Sequence, residues 1–479
     1  MQLIRIAGPT EPMRRIAGID GLDIKRSSAR RLDGDNWQVS GYATDDALTA
    51  LRDRPVEVEL VAGSEALEEQ RRVLFSQVQA LQAPDVEAPA VTYPATVSAI
   101  DGALERLAAE HPALCVRTDA PNRAHSGRPI FVLTIGVDGG RTPVLLSGGA
   151  HAREWAPPDA LLSLADRLLR AHAGGTDFVV PAFTDTVSPG PDVEYPEVSI
   201  AAEDVRRIVD RLELNLLVMA NPDGRAFTQA AAANVMWRKN RRPPRPGSTC
   251  VGVDLNRNHD IAWDFERYYN DAGDVAVSAS KDPCDPQVYI GPSAASEPET
   301  RNIARLLRER RIEFYVAVHS FSRKLLFPWG MDDNQVRNAE QTYRNPAWDG
   351  RRDGGFGGPY GEFIPSALLD EHVRIGGAMR AAILDGAGDD PRAQERSAYD
   401  VEPSLALYPT TGTASDYAAS LQFEPDPAAA RVISYTLEIG NDTDGEGGFH
   451  PVPAIYPKIE REVHLALMAF LRAAAGSII

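Results

Sequence analysis

Over the first sixty or so residues, short apolar runs change period from two to between three and four and back again. Leu3 to Ala7 reads as a strand, Pro12 to Ile19 as a short helix and Leu22 to Lys25 as a second strand. Trp37 to Ala43, Asp45 to Arg52 and Val56 to Val61 come next as strand, helix and strand. The order βαββαβ predicts a small α+β ferredoxin-like sandwich over residues 1–62. So short a unit buries little apolar surface alone, and its stability is expected to lean on a neighbour. Gly63 to Ala83 is rich in Glu, Gln, Arg and Leu, and Pro84, Pro89 and Pro94 punctuate the next dozen residues. Residues 63–91 are therefore expected to form a helix and an extended linker.

From residue 92 to 479 the pattern alternates between helices and strands. Ala99 to Ala109, Pro158 to Ala171, Glu297 to Arg310 and Pro457 to Ala475 have helical periodicity. Ile130 to Ile135, Val144 to Ser147, Leu214 to Ala220, Phe314 to His319 and Ile433 to Glu438 are almost wholly apolar, as strands covered on both faces are. The fold class this implies is α/β, with a mostly parallel central sheet between two layers of helices. Two stretches break the alternation. His172 to Ile200 is rich in Gly, Pro and Asp, and Met331 to about Val401 in Gly, Arg and Asp. Both read as long polar loops inserted in the domain, and the second could either border a pocket or decorate the surface.

The full length of 479 residues calls for more than one structural unit, and 43% hydrophobic residues supply a substantial core. A net charge of −18 opposes binding to nucleic acid or to anionic membranes. No apolar stretch is long enough to span a bilayer, and Met1 to Ile6 lacks the length and order of a signal peptide. As written, the chain reads as soluble and cytoplasmic, with export by another route left open and the oligomeric state undetermined. Cys115, in the strand-like Leu114-Cys115-Val116, is expected to be a buried single thiol.

The chemistry concentrates at strand ends. His151 and Glu154, three positions apart, come after the strand Val144 to Ser147 and a Gly148-Gly149-Ala150 turn, and His319 ends another apolar strand. Two imidazoles and a carboxylate suit a catalytic zinc, which keeps its fourth position open. Taken alone, His-x-x-Glu is a common surface pair. Asp254 alone reads as a turn or cap aspartate before Asn256, Glu438 as the solvated end of a strand, and Tyr408-Pro409 as a turn. Trp237 to Arg245 holds Arg238, Lys239, Arg241, Arg242 and Arg245, which by itself is a solvated basic loop.

The motifs together narrow these choices. Gly149 to Trp155, Asn221-Pro222-Asp223-Gly224, Trp237-Arg238-Lys239-Asn240-Arg241 and Gly252-Val253-Asp254-Leu255-Asn256-Arg257-Asn258 occur in that order. Val318 to Ser322, Leu407-Tyr408 and Thr436-Leu437-Glu438 complete the series. From about Val91 onward the chain closely resembles the zinc metallocarboxypeptidases, the family of carboxypeptidases A and B. The resemblance implies a mixed eight-stranded sheet and one zinc per chain, held by His151, Glu154 and His319. It assigns Asp254 to orienting the first histidine and Glu438 to the general base. Arg241 falls to polarising the scissile carbonyl, and Asn256 with Arg257 to the clamp for a substrate's terminal carboxylate. Arg153 becomes a further substrate contact and Tyr408 a tyrosine closing over the bound residue. Ser415, where basic-specific relatives carry an acid, implies a preference for neutral, apolar or aromatic C-terminal residues, with Leu326, Leu407 and Thr436 as walls. Phe321 departs from the tyrosine of many animal relatives.

The implied activity is hydrolysis of the C-terminal peptide bond of peptides or proteins. Residues 1–62, placed before such an enzyme, resemble a pro-domain or accessory domain. Cys250 and Cys284 fall where some secreted relatives have a disulfide. Two alternatives remain. A zinc amidohydrolase acting on cell-wall peptides or small amides is expected to alter the Asn256–Arg257 pair, and a silent carboxylate-binding paralogue to lack a ligand or the base. This sequence retains all of them.

Overall fold

The computed structural model describes all residues except 1, 17–18, 33, 82–92, 137–138, 271–274, 276, 425–430, 443–446 and 477–479. The expected linker lies largely in the undescribed stretch 82–92. The small unit contains β1 (Gln2–Pro9), α1 (Thr10–Arg15), β2 (Leu22–Arg31), β3 (Asn36–Ala43), α2 (Asp45–Arg52) and β4 (Glu57–Ala62), followed by α3 (Ser64–Leu81). Its sheet runs β2-β3-β1-β4 with every pair antiparallel, the ferredoxin-like arrangement the periodicity predicts. Ile4, Ile6, Ile16, Val39, Ala43, Ala47 and Leu51 form its core. Leu3, Tyr42 and Leu67 make a second cluster that takes in Met236 of the larger unit, so the two units pack together there.

The larger unit continues with α4 (Val97–Glu110), β5 (Cys115–Asp119), β6 (Phe131–Ile135), β7 (Thr142–Gly148) and α5 (Ala156–Gly174). Four short strands, β8 (Phe178–Val180), β9 (Phe183–Asp185), β10 (Val193–Tyr195) and β11 (Val198–Ile200), come next, then α6 (Ala202–Arg211), β12 (Leu212–Leu217) and α7 (Pro222–Ala230). After α8 (Phe265–Tyr268) and α9 (Pro298–Glu309) come β13 (Phe314–Ser320), β14 (Lys324–Phe327), β15 (Asn334–Gln335) and β16 (Glu362–Phe363). The chain ends with α10 (Ser366–Ala387), α11 (Pro391–Arg396), β17 (Asp400–Pro403), α12 (Ala414–Ser420), β18 (Ile433–Ile439) and α13 (Tyr456–Ala474).

Eight strands form the central sheet in the order β17-β14-β18-β13-β7-β12-β6-β5. Four of its seven strand pairs are parallel, so the sheet is mixed and mostly parallel. Helices cover both faces, as alternate residues of β13 show. Phe314 meets Phe470 of α13 with ring centroids 6.0 Å apart, while Tyr315 and Ala317 face Ile303 of α9 and Ala414 of α12. Among the described residues no helix is long and apolar enough to cross a membrane.

Both expected insertions hold regular structure, which corrects their reading as loops. Residues 178–200 fold into two pairs of three-residue strands, β8 with β11 and β9 with β10. The second insertion carries the 22-residue α10, whose buried Leu368, His372, Ile375, Met379 and Ile383 keep helical spacing and pack towards α13. Cys115 is free and buried as expected, and Cys250 is bonded to Cys284 across a separation of 34 residues. Closing a loop of that length stabilises the fold by roughly 3 to 4 kcal/mol in the chain-entropy account.

Candidate active site

β7, β13 and β18 run parallel side by side, so their carboxyl ends meet at one edge of the sheet, where open α/β sheets bind ligands. The register sets His319 directly against Glu438 and Val318 against Gly148. Beyond β7, Gly149 turns the chain at φ +66°; a Cβ there would lie 2.9 Å from Pro158 Cγ of α5. Asn221, whose side chain caps α7, donates its Nδ2 to the carbonyls of Ala150 (3.1 Å) and Lys239 (3.3 Å). That bond, with Ala152 N donating to Arg238 O, ties the histidine turn to the arginine-bearing segment.

His151 Nδ1 lies 2.6 Å from Glu154 Oε1 and 3.1 Å from His319 Nδ1, which is itself 3.0 Å from Glu154 Oε2. All three side chains are buried. Two imidazole nitrogens and a carboxylate converging this closely match the N/O donor set zinc takes in catalytic sites. His151 Nε2 is 3.2 Å from Asp254 Oδ1, the outer carboxylate that fixes a ligating ring and its tautomer. The same Oδ1 accepts from Asn256 N, so Asp254 both caps the turn and meets the His151 ring. Burial opposes the charge of Asp254, but Arg238 and His151 outweigh it and hold the carboxyl well below its usual range. Burial, helped by Arg238, lowers His151 and so favours the neutral ring, the form that binds a metal, whereas at His319 burial is outweighed by Glu154, which raises it.

Glu438 reaches the same space. Its Oε2 is buried and makes no hydrogen bond within the protein, which leaves an acceptor aimed at whatever the site holds. Burial pushes its carboxyl up to about 7 against the pull of His319, with Glu154 adding to the rise. A carboxylate balanced near neutrality is suited to accepting and returning a proton.

A pocket of about 390 Å³ is lined by His151, Glu154, Glu438, Asn256, Arg257, Arg153 and Tyr408, among others. Asn256 Oδ1 accepts from Ala414 N at 2.9 Å, and the Tyr408 ring centroid lies 5.9 Å from Arg257 Cζ. Arg153 stacks over Phe449 at 4.2 Å, and its Nη1 is 3.8 Å from Asp23 Oδ2 on β2. Leu22, Asp23 and Ile24 of the small unit line the pocket as well. Leu326 pairs with Thr436 across β14 and β18, and Thr436 Oγ1 donates to Ser415 Oγ at 3.1 Å. The structure thus brings Leu326, Thr436 and Ser415 together, buried and outside that pocket's lining.

Arg241 requires a correction. Its guanidinium stacks on Phe227 (3.6 Å) and Trp237 (4.7 Å), away from the pocket, and Arg238 takes the inward place. The cause is local: Asn240 Nδ2 is locked onto Glu297 and Glu299, while the Arg238 fork grips Asp254 Oδ2 through Nε (3.0 Å) and Nη2 (2.8 Å). Cation–π stacking on two rings offsets the partial desolvation of Arg241. Composition showed five cations in this segment but not which way each faced. Phe449 and the wall from Val277 to Val288 were also missed; no spacing signal marks them.

The zinc carboxypeptidase family model matches residues 100–464, and the chain belongs to that family, whose metal is zinc. Carboxypeptidase A1 of Sus scrofa is 32% identical over 237 residues, 49% of this chain and 46% of that protein. Carboxypeptidase B of Bos taurus is 29% identical over 242 residues, covering 50% and 48%. The matched stretch spans about half the length of these curated relatives. The crystal structure of carboxypeptidase A from Helicoverpa armigera has the same fold, with a TM-score of 0.69 at 21% identity over 99% of this chain and 97% of that one.

Proposed function

We propose that this protein is a zinc-dependent carboxypeptidase that hydrolyses the C-terminal peptide bond of peptides or proteins. The observation that carries the reading is the convergence of His151, Glu154 and His319 with Glu438, Arg238 and the Asn256–Arg257 pair at one edge of the sheet. Asn256 and Arg257 bind the terminal carboxylate, Arg153 lines the same pocket, and Tyr408 closes over the bound residue. An internal bond offers no such carboxylate, so the enzyme acts from the end. Arg238 polarises the scissile carbonyl and stabilises its oxyanion. Glu438 takes a proton from the attacking water and hands it to the leaving amine. Zinc, held by His151, Glu154 and His319, supplies Lewis acidity.

The preference proposed is for neutral, apolar or aromatic C-terminal residues. Ser415 cannot neutralise a buried cation, and Asp416 is turned onto the Gly330 amide at 3.1 and 3.2 Å. Among the buried charges of the second insertion, Arg352 donates through Nε (2.9 Å) and Nη2 (2.6 Å) to Glu362, and Asp332 accepts from the Asp353 and Gly354 amides at 3.1 Å each. Blocked dipeptides ending in Phe or Leu are expected to exceed those ending in Lys, Arg or Glu in kcat/KM by about 100-fold, the effect of ~3 kcal/mol for an unpaired buried charge. Faster cleavage of Lys or Arg overturns the Ser415 argument, and no release of any C-terminal residue overturns the activity.

Residues 1–62 act as an accessory or pro-domain, residues 63–91 as its helix and linker, and residues 92–479 as the catalytic domain. Leu22, Asp23 and Ile24 at the pocket support control of access. Removing the first ninety or so residues is expected to leave a folded, metal-loaded peptidase with raised kcat/KM. A soluble, zinc-loaded but inactive product contradicts this role, and an insoluble one means the docked unit is needed for stability. The Cys250–Cys284 disulfide favours an oxidising compartment over the cytoplasm.

A further inference from the structure

Arg257 is held along one side by Ser278, a residue of the same pocket wall that lies outside every motif. Its Nε donates to the Ser278 carbonyl and its Nη2 to Ser278 Oγ (3.3 Å), while Nη1 donates to the Asn256 carbonyl (2.7 Å). A guanidinium has five N–H donors in a rigid fork: one on Nε and two on each Nη. The Nε and Nη2 hydrogens that point the same way are engaged side-on by Ser278, and one Nη1 hydrogen is engaged by Asn256. One hydrogen remains on each Nη, two donors for the oxygens of a carboxylate.

Ser278 is itself anchored. Its N–H donates to the Pro409 carbonyl at 2.8 Å, which joins the arginine to the residue after Tyr408. Further along the same wall, Cys284 is bonded to Cys250, and Lys239 Nζ donates to the Asp285 carbonyl at 2.6 Å. The wall is therefore fastened at its far end to the strand of chain that carries Arg238.

We infer that Ser278 is a positioning residue for C-terminal carboxylate recognition, setting the free edge of Arg257 towards the substrate and coupling it to the Tyr408 segment. The inference rests on Arg257 being the carboxylate clamp proposed above. It goes further in making the serine hydroxyl, on a disulfide-tethered wall, a determinant of substrate affinity.

The test compares Ser278→Ala, Ser278→Thr and Arg257→Ala as zinc-loaded full-length enzymes on a blocked dipeptide ending in Phe. Ser278→Ala is expected to raise KM about three- to tenfold with kcat within about twofold, the effect of one lost hydrogen bond on ground-state and transition-state binding alike. Ser278→Thr, which keeps the hydroxyl, restores KM. Arg257→Ala raises KM far more. If Arg257→Ala leaves KM unchanged, the clamp reading fails and takes the inference with it. If Arg257→Ala raises KM but Ser278→Ala does not, the clamp stands and the inference is overturned. A fall in kcat and melting temperature with Ser278→Ala that threonine does not rescue also overturns it, because the residue is then merely structural.

Discussion

Replacing Glu438 by glutamine is expected to leave a protein that binds zinc and substrate normally and turns over about 100- to 10,000-fold more slowly, the usual contribution of a positioned general base. The reasoning begins with the register, which sets Glu438 opposite His319 on the neighbouring strand without making it one of the three converging ligand groups. Its free Oε2 accepts nothing from the protein, so glutamine, equal in shape, disturbs no existing bond at that atom. Binding is thereby separated from proton transfer, and the loss falls on kcat rather than KM. Zinc content checked alongside steady-state kinetics decides the matter. Near-normal turnover by the zinc-loaded variant rules out the base assignment.

The second large effect distinguishes two arginines three residues apart. Arg238→Ala is expected to lower kcat by about 100- to 1,000-fold, as loss of an oxyanion donor does. Arg241→Ala should leave kcat within a few-fold and cost about 0.5 to 2 kcal/mol of stability through lost stacking. Arg238 is partly buried, doubly bonded to Asp254 and part of the pocket lining, whereas Arg241 lies over Phe227. Arg238→Lys should recover little, since an ammonium cannot reproduce the fork. Kinetics of the three variants check this, and a larger kcat loss in Arg241→Ala than in Arg238→Ala overturns the assignment.

How much of the molecule is legible in its sequence depends on the length and period of each signal. Phe314 to His319 and Ile433 to Glu438 are apolar runs ended by an ionisable residue, so the strands could be read from their pattern, while the roles of their ends came from the family resemblance. The small unit was legible because its period switches at every turn. α10 was not, because its stripe of Leu368, Ile375, Met379 and Ile383 is interrupted by His372 and by glycines that composition reads as loop. Gly376 is there for close packing: a Cβ would lie 2.7 Å from Val401 Cγ1. Strands of three residues, as at β8 to β11, are too short for alternation to show. At the site, spacing alone left His151 and Glu154 a common surface pair, and the resemblance of the surrounding motifs marked them as candidate ligands. Direction is a different matter, because a run of cations carries no mark of which one Asp254 will hold. Ser278 and Phe449 reach the pocket from walls whose approach depends on tertiary contacts, among them the Cys250–Cys284 bond.

The central claim is that His151, Glu154 and His319 hold the zinc on which peptide hydrolysis depends. The most direct test is the zinc content of the wild-type protein and of His319→Ala after equilibration with zinc and removal of excess, with release of phenylalanine from a blocked dipeptide measured on the same samples. The account predicts one zinc per chain and hydrolysis in the wild type, and loss of both in the variant. Hydrolysis by zinc-free wild-type protein, or a His319→Ala protein that keeps both zinc and turnover, would contradict it.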